Sequence, residues 1–345
     1  MIKVIEKLFK EGNLQKDEII SLLECEDENI IEKLFEYARI RAKETFGNEI
    51  YTRGLIEISN FCKNDCYYCG IRRGNKNVCR YRLSKEQIME CCQIGYDLDF
   101  RSFVLQGGED PHFSDDVICD IVSEIRKKYP DCAITLSLGE RSYESYKKLF
   151  DCGANRYLLR HETSDFCHYG KLHPKELSLE NRIKCLENLK KIGYQVGTGI
   201  MVGSPYQTIE NIADDIIFIK NFKPHMIGLG PFVPHKESIF RDFPHGSVKL
   251  TLKILAILRL MLPKALIPAT TALGTVEENG REMGILAGAN VLMPNLSPKD
   301  VRKNYLLYDN KISTGEEAAE GRKALGERME KIGYILSSKR GDYRE

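Results

Sequence analysis

The chain has 345 residues, 42% hydrophobic and 29% charged, with 51 Lys plus Arg against 50 Asp plus Glu for a net charge of +1. That balance excludes a broadly basic nucleic-acid binder and an acidic solvating chain, and fits a soluble globular enzyme. No apolar run reaches the ~20 residues of a membrane helix and the N-terminus lacks the apolar core of a secretory signal, so a cytoplasmic protein is expected.

The first fifty residues read as a helical extension. Apolar stripes fall at Ile5, Leu8 and Phe9, at Ile19, Ile20, Leu22 and Leu23, and at Ile30, Ile31, Leu34, Phe35, Tyr37 and Ala38. From residue 53 short β-rich runs alternate with helical periodicity. Strands are expected at 54–59, 102–106, 133–138, 157–162, 196–203, 225–232, 266–272 and 290–294. A helix opens at Ser84, with Gln87 completing a capping box, and another at Ser114. Others are expected over 142–151, 178–192, 208–221, 247–262 and 277–287, and a last one over 314–337. Gly95, Gly153, Gly193 and Gly288 stand where helices need a left-handed cap.

Strand–helix alternation implies a parallel sheet with right-handed crossovers. Eight such units in ~240 residues suit a TIM-type (β/α)8 barrel, with a doubly wound open sheet as the other arrangement. The expected division is a helical extension over 1–50, a barrel over 51–300 and a mouth-closing segment with a helix over 301–345. In a barrel, catalytic residues sit at the C-terminal ends of strands. Polar clusters stand at every such end, among them ISNFCKNDC, LQGGED, SLGER, RHET and ATTALG.

Twelve cysteines in a long chain without an export signal do not make a disulfide scaffold. Nine are scattered and read mostly as packing. Cys62, Cys66 and Cys69 share the loop FCKNDCYYCG after the first strand, spaced C-x3-C-x2-C. Thiolates are soft ligands for zinc or for iron–sulfur clusters. A structural zinc site wants four protein ligands, and the run has no fourth cysteine or histidine. Three ligands on a four-iron cluster leave one iron open to a small molecule.

This spacing, with aromatic Tyr68 before the third cysteine, resembles the radical S-adenosylmethionine (SAM) superfamily. The resemblance implies a full or partial (β/α) barrel and one [4Fe–4S] cluster on Cys62, Cys66 and Cys69, with SAM chelated at the open iron. It also implies reductive cleavage of SAM to a 5′-deoxyadenosyl radical, with an electron donor as partner. By the same resemblance Gln106, Gly107 and Gly108 meet the methionine amino group, and Arg160 and Glu162 reach the SAM carboxylate and ribose. Arg182 joins them at the carboxylate, Met201 packs the adenine, and Ser137 completes the set. Glycine would let the backbone approach the ligand there, and guanidinium and carboxylate suit the groups they would meet.

Within the superfamily, FCKNDCYYCGIRRGNKNVCRYRLS, LQGGEDP, TLSLGER, RYLLRHET, GPFVPH, IPATTALGT, GANVLMPN and YLLYDNKIS run in order over residues 50–315. Together they resemble the [FeFe]-hydrogenase maturases of the biotin-synthase-like branch, with methylornithine synthases as the runner-up. The maturase resemblance implies a cysteine-bound Fe(CO)2(CN) substrate and other hydrogenase maturases as partners. Thr270, Thr271, Met293, Tyr305, Tyr308 and Arg141 would line the substrate cavity. Cysteines that bind a second cluster in some members are missing, since Cys185 is the last in the chain. Two readings from other classes compete. The five basic residues of 72–82, RRGNKNVCRYR, would suit RNA phosphates. A zinc-stabilised scaffold for a partner would need no radical chemistry.

Overall fold

The computed structural model describes residues 1–312 and 319–344. Three helices open the chain: α1 (Ile2–Glu11), α2 (Lys16–Glu24) and α3 (Glu28–Phe46). Each has a reason to stop or start where it does. Gly12 ends α1 in the left-handed region (φ 63°), Gln15 and Glu18 form a capping box on α2, and Asp27 accepts from Asn29 and Ile30 to cap α3. Their apolar faces join one core with the later helices α9 (Ile209–Phe222) and α10 (Val248–Met261).

The alternation then runs as the sequence requires: β1 (Glu49–Thr52), β2 (Gly54–Ser59), α4 (Lys85–Asp97), β3 (Ser102–Gly107), α5 (Asp115–Lys128), β4 (Ala133–Ser137), α6 (Tyr143–Asp151) and β5 (Arg156–Leu158). It continues through α7 (Phe166–Leu172), α8 (Leu179–Ile192), β6 (Gln195–Val202), α9, β7 (Met226–Pro231) and α10. Next come α11 (Thr271–Val276), α12 (Gly280–Leu286), β8 (Val291–Leu292), α13 (Lys299–Arg302), α14 (Arg322–Lys331) and β9 (Ile335–Ser337).

β2 to β7 form one six-stranded parallel sheet in sequential order. Leu55 faces Val104, Val104 faces Thr135, Tyr157 faces Val196, and Thr198 faces Ile227, and the β2–β3 register shifts between Glu57 and Ser59. The fold is therefore parallel α/β. Isolated bridges carry the pairing further, Met226 with Leu266, Pro268 with Val291, and Leu55 with Asn295. A second sheet, β8-β1-β9, is also parallel.

Four expectations need correction. The seventh strand, expected over 266–272, is reduced to bridges at Leu266 and Pro268, because proline has no N–H for a ladder and Thr271 already starts α11. The helix expected over 277–287 is shortened to α12, and a separate helix, α11, precedes it. β1 was not anticipated. The final helix expected over 314–337 starts outside the described residues, and it stops early: Gly333 turns left-handed (φ 83°) and Ile335 enters β9.

Strand alternation sets two faces. Ile56, Ile58, Phe103, Leu105, Ile134 and Leu136 pack outward in one core cluster. Glu57, Gln106 and Ser137 occupy the alternate positions. On β6 and β7 the residues beside the outward Ile200, Ile227 and Leu229 are glycines. A Cβ on Gly199 would lie 1.7 Å from the Gly228 carbonyl, so no side chain fits there. That side of the inner face is glycine-rich between Met226 and Met201.

Candidate cluster and cofactor site

The cysteine loop follows β2 and is held from several sides. Asn60 Nδ2 donates to the carbonyls of Cys79 (2.8 Å) and Asn304 (2.7 Å), and Tyr81 N donates to Asn60 Oδ1. Tyr67 N bonds the Leu172 carbonyl and Gly70 N the Leu307 carbonyl. Gly70 must be glycine, since a Cβ would meet the Leu306 carbonyl at 2.2 Å and the His235 ring. Gly108 is also an obligate glycine. A Cβ there would meet the Phe61 carbonyl at 2.2 Å and Cys62 Cβ at 2.7 Å. The glycine motif thus first admits the cysteine loop itself against the end of β3.

The three cysteines are half-buried and unpaired with one another. Burial raises all three thiols, pushing Cys69 up to about 12 and Cys66 well above the usual range. Cys62 and Cys69 further raise Cys66, and Cys62 raises Cys69, so the sulfurs share one space. Among the described residues no three His, Cys, Asp or Glu side chains converge on a single ion. A cluster does not ask for that convergence, because each thiolate takes its own iron. Three soft, mutually repelling donors on one loop fit such a group.

The other candidates for the cofactor gather at the same end of the sheet. Arg160 Nη2 lies 2.8 Å from Glu162 Oε2, and Arg160 Nε is buried without a partner. Glu162 adopts φ 66°, strained for a non-glycine residue, as functional strand ends often are. Burial, and then the Glu162 carboxylate, raise Tyr68, whose hydroxyl lies 3.3 Å from His173 Nε2. Arg182, on α8, donates through Nε to Glu140 and through Nη1 to the Arg160 carbonyl. Its guanidinium therefore arrives already paired, while its charge still lowers the Cys66 thiol. Met201 joins Leu172, Phe232 and Phe240 in an apolar cluster against Tyr67 and Tyr68, a surface of the kind an aromatic base needs. Gln106, at the end of β3, faces Ser137 on β4 and bonds the Tyr305 hydroxyl (3.3 Å).

The substrate candidates divide. Tyr305 is buried beside Gln106 and Lys311, and Tyr308 is half-buried on the same segment. The Thr270 hydroxyl is buried without a partner, 2.6 Å from where a Gly230 Cβ would stand. Thr271, inside α11, accepts from Arg281 instead. Met293 packs with Tyr51, Met226, Leu266 and Val291, toward the start of the strands. Arg141 gives its guanidinium to Asp115 (2.6 Å) and the Phe113 carbonyl (2.9 Å), with no contact to the cysteine loop.

Several functional positions escape a reading of motifs. Glu57 is fully buried and holds Lys311 and Asn295, tying the segment after α13 to the inner face of β2. Asp309 bonds Lys236 N, so that segment spans from the cysteine loop to the loop after β7. Glu109 packs its carboxylate over Gly139 and accepts from Glu140 N. Asp215 on α9 accepts from the Ser164 backbone and hydroxyl, fixing the turn behind Glu162. None of these pairs is adjacent in sequence. The scattered cysteines also need one correction: Cys119 and Cys152 form a disulfide between α5 and the end of α6. Cys91, Cys92, Cys132 and Cys185 are buried as expected.

Of the five cations in the basic loop, Arg73 and Lys76 are exposed and the other three are engaged within the protein. Arg72 pairs with Asp65 and Arg82 with Asp110, and Arg80 bonds only main-chain carbonyls. The arginines fold the loop.

Comparison with known proteins adds a second line. Residues 56–219 match the model of the Radical SAM superfamily. The chain is 43% identical over 91% of its length, and 89% of the relative's, to the [FeFe] hydrogenase maturase subunit HydE of Thermotoga maritima. It is 31% identical to the 3-methylornithine synthase of Methanosarcina acetivorans, over 95% of this chain and 92% of that one. The crystal structure of methylornithine synthase superposes with a TM-score of 0.86 at 27% identity, covering 97% of each chain.

Proposed function

This chain belongs to the radical SAM superfamily and, within it, to the HydE family of [FeFe]-hydrogenase maturases, and from that premise we propose how its own residues serve a maturase. The superfamily works with a [4Fe–4S] cluster and SAM, and supplies a 5′-deoxyadenosyl radical by reductive cleavage of SAM. Cys62, Cys66 and Cys69 hold the cluster. The observation that carries this is the group of three neighbouring thiols at the same sheet end as the half-buried Arg160, the buried Glu162 and the Met201 cluster. Glu162 receives the ribose hydroxyls, Arg160 with its free Nε the methionine carboxylate, and the Gln106–Gly108 turn the amino group. Tyr68 and Met201 flank the adenine, Ser137 lies beside Gln106, and Arg182 supports the Arg160 carbonyl.

The strand bridges at Leu266, Val291 and Asn295 support a closed (β/α)8 barrel over 51–300, preceded by the helical extension 1–50. The substrate lies in its lumen beyond SAM. The glycine-lined face of β6 and β7 leaves room for a compact group, and Thr270 offers an unsatisfied hydroxyl to it. Thr271, Met293 and Arg141 are engaged elsewhere and carry less of this reading. Residues 301–312 close the mouth through Tyr305, Tyr308 and Lys311, whereas Gly341 and Asp342 are held by Arg156 at the start of β5. The substrate is the cysteine-bound Fe(CO)2(CN) unit of diiron-subcluster assembly, and the partners are an electron donor and the other maturases. No helix of the described residues is long and apolar enough to cross a membrane.

The test is complementation of a hydrogenase maturation system lacking HydE. Recovered hydrogenase activity is expected with this chain and lost with Cys66→Ala. No recovery while SAM cleavage persists would overturn the maturase assignment. The likeness to methylornithine synthase supports a second reading, an amino-acid substrate. Conversion of lysine to methylornithine by the purified enzyme would decide for it.

A further inference from the structure

Arg80 is placed unlike any other cation of the cysteine loop. Its Nη1 donates to the carbonyls of Asn60 and Ile71 (2.7 Å), and its Nη2 to those of Arg72 (2.7 Å) and Asn75 (3.1 Å). Asn60 precedes the three cysteines, and Ile71, Arg72 and Asn75 follow them. One guanidinium therefore ties both ends of the loop together with four main-chain bonds. Arg72 and Arg82, which flank it in sequence, are neutralised by Asp65 and Asp110. No ion pair between Arg80 and a carboxylate is found among the described residues. Burial lowers its guanidinium, and the neighbouring Cys62 and Cys69 sulfurs oppose that shift. It is also only half-exposed, whereas Arg73 and Lys76 stand in solvent, where water screens them.

We propose that Arg80 is a positioning residue for the iron–sulfur centre, closing its loop and leaving an un-neutralised positive charge beside the ligand sulfurs that favours the reduced state. This rests on the cluster reading above and goes beyond it. The argument is electrostatic. Accepting an electron makes the centre one unit more negative. A fixed cation bonded to the main chain on both sides of the three cysteines stabilises that state more than the oxidised one. With the effective dielectric of a half-buried site, one such charge shifts the equilibrium by about tenfold. Backbone carbonyls bound to the guanidinium orient it without cancelling its charge. A carboxylate in their place would do both.

The experiment uses the full chain, reconstituted anaerobically with iron and sulfide, as parent, Arg80→Gln, Arg80→Lys and Arg82→Gln. Iron per chain is measured first, then the midpoint of the centre by redox titration followed by electron paramagnetic resonance. Arg80→Gln is expected to hold the centre about tenfold less reduced at the parent's midpoint, a shift of about 59 mV to the negative for one electron. Arg80→Lys keeps the charge and up to three donors, and is expected to stay within twofold of the parent. Arg82→Gln removes a charge already cancelled by Asp110 and is expected to leave the midpoint in place. An iron-loaded Arg80→Gln protein with the parent's midpoint overturns the proposal. If Arg80→Gln retains no iron, Arg80→Lys decides: loaded with the parent's midpoint supports it, and loaded with a displaced midpoint overturns it. A parent chain that takes up no iron overturns the cluster reading itself, and this inference with it.

Discussion

The residues nearest the chemistry are charged groups kept in order by other charged groups. Glu162 is the clearest case. Its carboxylate meets Arg160, its backbone is held at φ 66°, and Asp215 clamps the turn behind it through Ser164. Glu162→Gln keeps the shape and loses the charge. It is expected to weaken SAM binding by about tenfold, one lost charge-assisted hydrogen bond, with the iron content unchanged. Equilibrium dialysis of the reconstituted protein against labelled SAM measures it, and unchanged affinity would remove Glu162 from the site. His173 sets an acid limit. Burial first, and then Arg182, lower its imidazole to about 3, against an ordinary value near 6.5. The unfolded chain therefore binds a proton that the folded one refuses. Stability from this residue is complete above about pH 6.5 and falls by about 1.4 kcal/mol per pH unit down to about pH 3. His173→Phe should flatten that limb in denaturant titrations run from pH 7 to pH 4. The triplet Cys62, Cys66 and Cys69 was legible because its spacing is local. Arg80 and Glu57 were not, since their partners are carbonyls and side chains brought in by folding.

Elements were legible where period and caps agreed. Ser84 with Gln87 and Ser114 cap α4 and α5 as their sequences require, and the glycines at 153, 193 and 288 all turn left-handed. Errors arose where one signal was read alone. The apolar run after Lys264 has strand composition, yet Pro268 interrupts its ladder and the threonines that follow open a helix. β1 is four residues long directly after α3, and only its pairing with β8 and β9, distant in sequence, makes it a strand. The segment after α13 is held by contacts rather than by regular structure, chiefly Lys311 on Glu57. Lys311→Met leaves Glu57 charged and buried, with Asn295 as its remaining side-chain partner, and is expected to cost about 3–5 kcal/mol. Adding Glu57→Met should recover most of that loss. Chemical denaturation of the single and double variants checks both statements, and a single variant as stable as the parent would mean the pair does not hold this segment. At the N-terminus Asp27→Ala removes the cap of α3 and is expected to cost about 1 kcal/mol.

At the scale of the molecule, a parallel sheet gathers residues far apart in sequence at the ends of its strands. The cysteine loop after β2, the Gln106–Gly108 turn after β3, Arg160 and Glu162 after β5 and Met201 within β6 meet because β2 to β7 are parallel neighbours in sequential order. The order of strands followed from the alternation alone. The second sheet and the bridging of the seventh strand did not, because they depend on pairings that no local pattern announces. On the proposal above, three thiols on one loop carry the redox centre that cleaves SAM. The direct measurement is anaerobic reconstitution followed by reduction with dithionite in the presence of SAM. The parent should hold about four irons at this site, as the cluster type requires, and release 5′-deoxyadenosine. Replacing Cys62, Cys66 and Cys69 together by Ala should abolish both. A parent that takes up zinc and no iron, or a triple variant that still releases 5′-deoxyadenosine, would contradict the account.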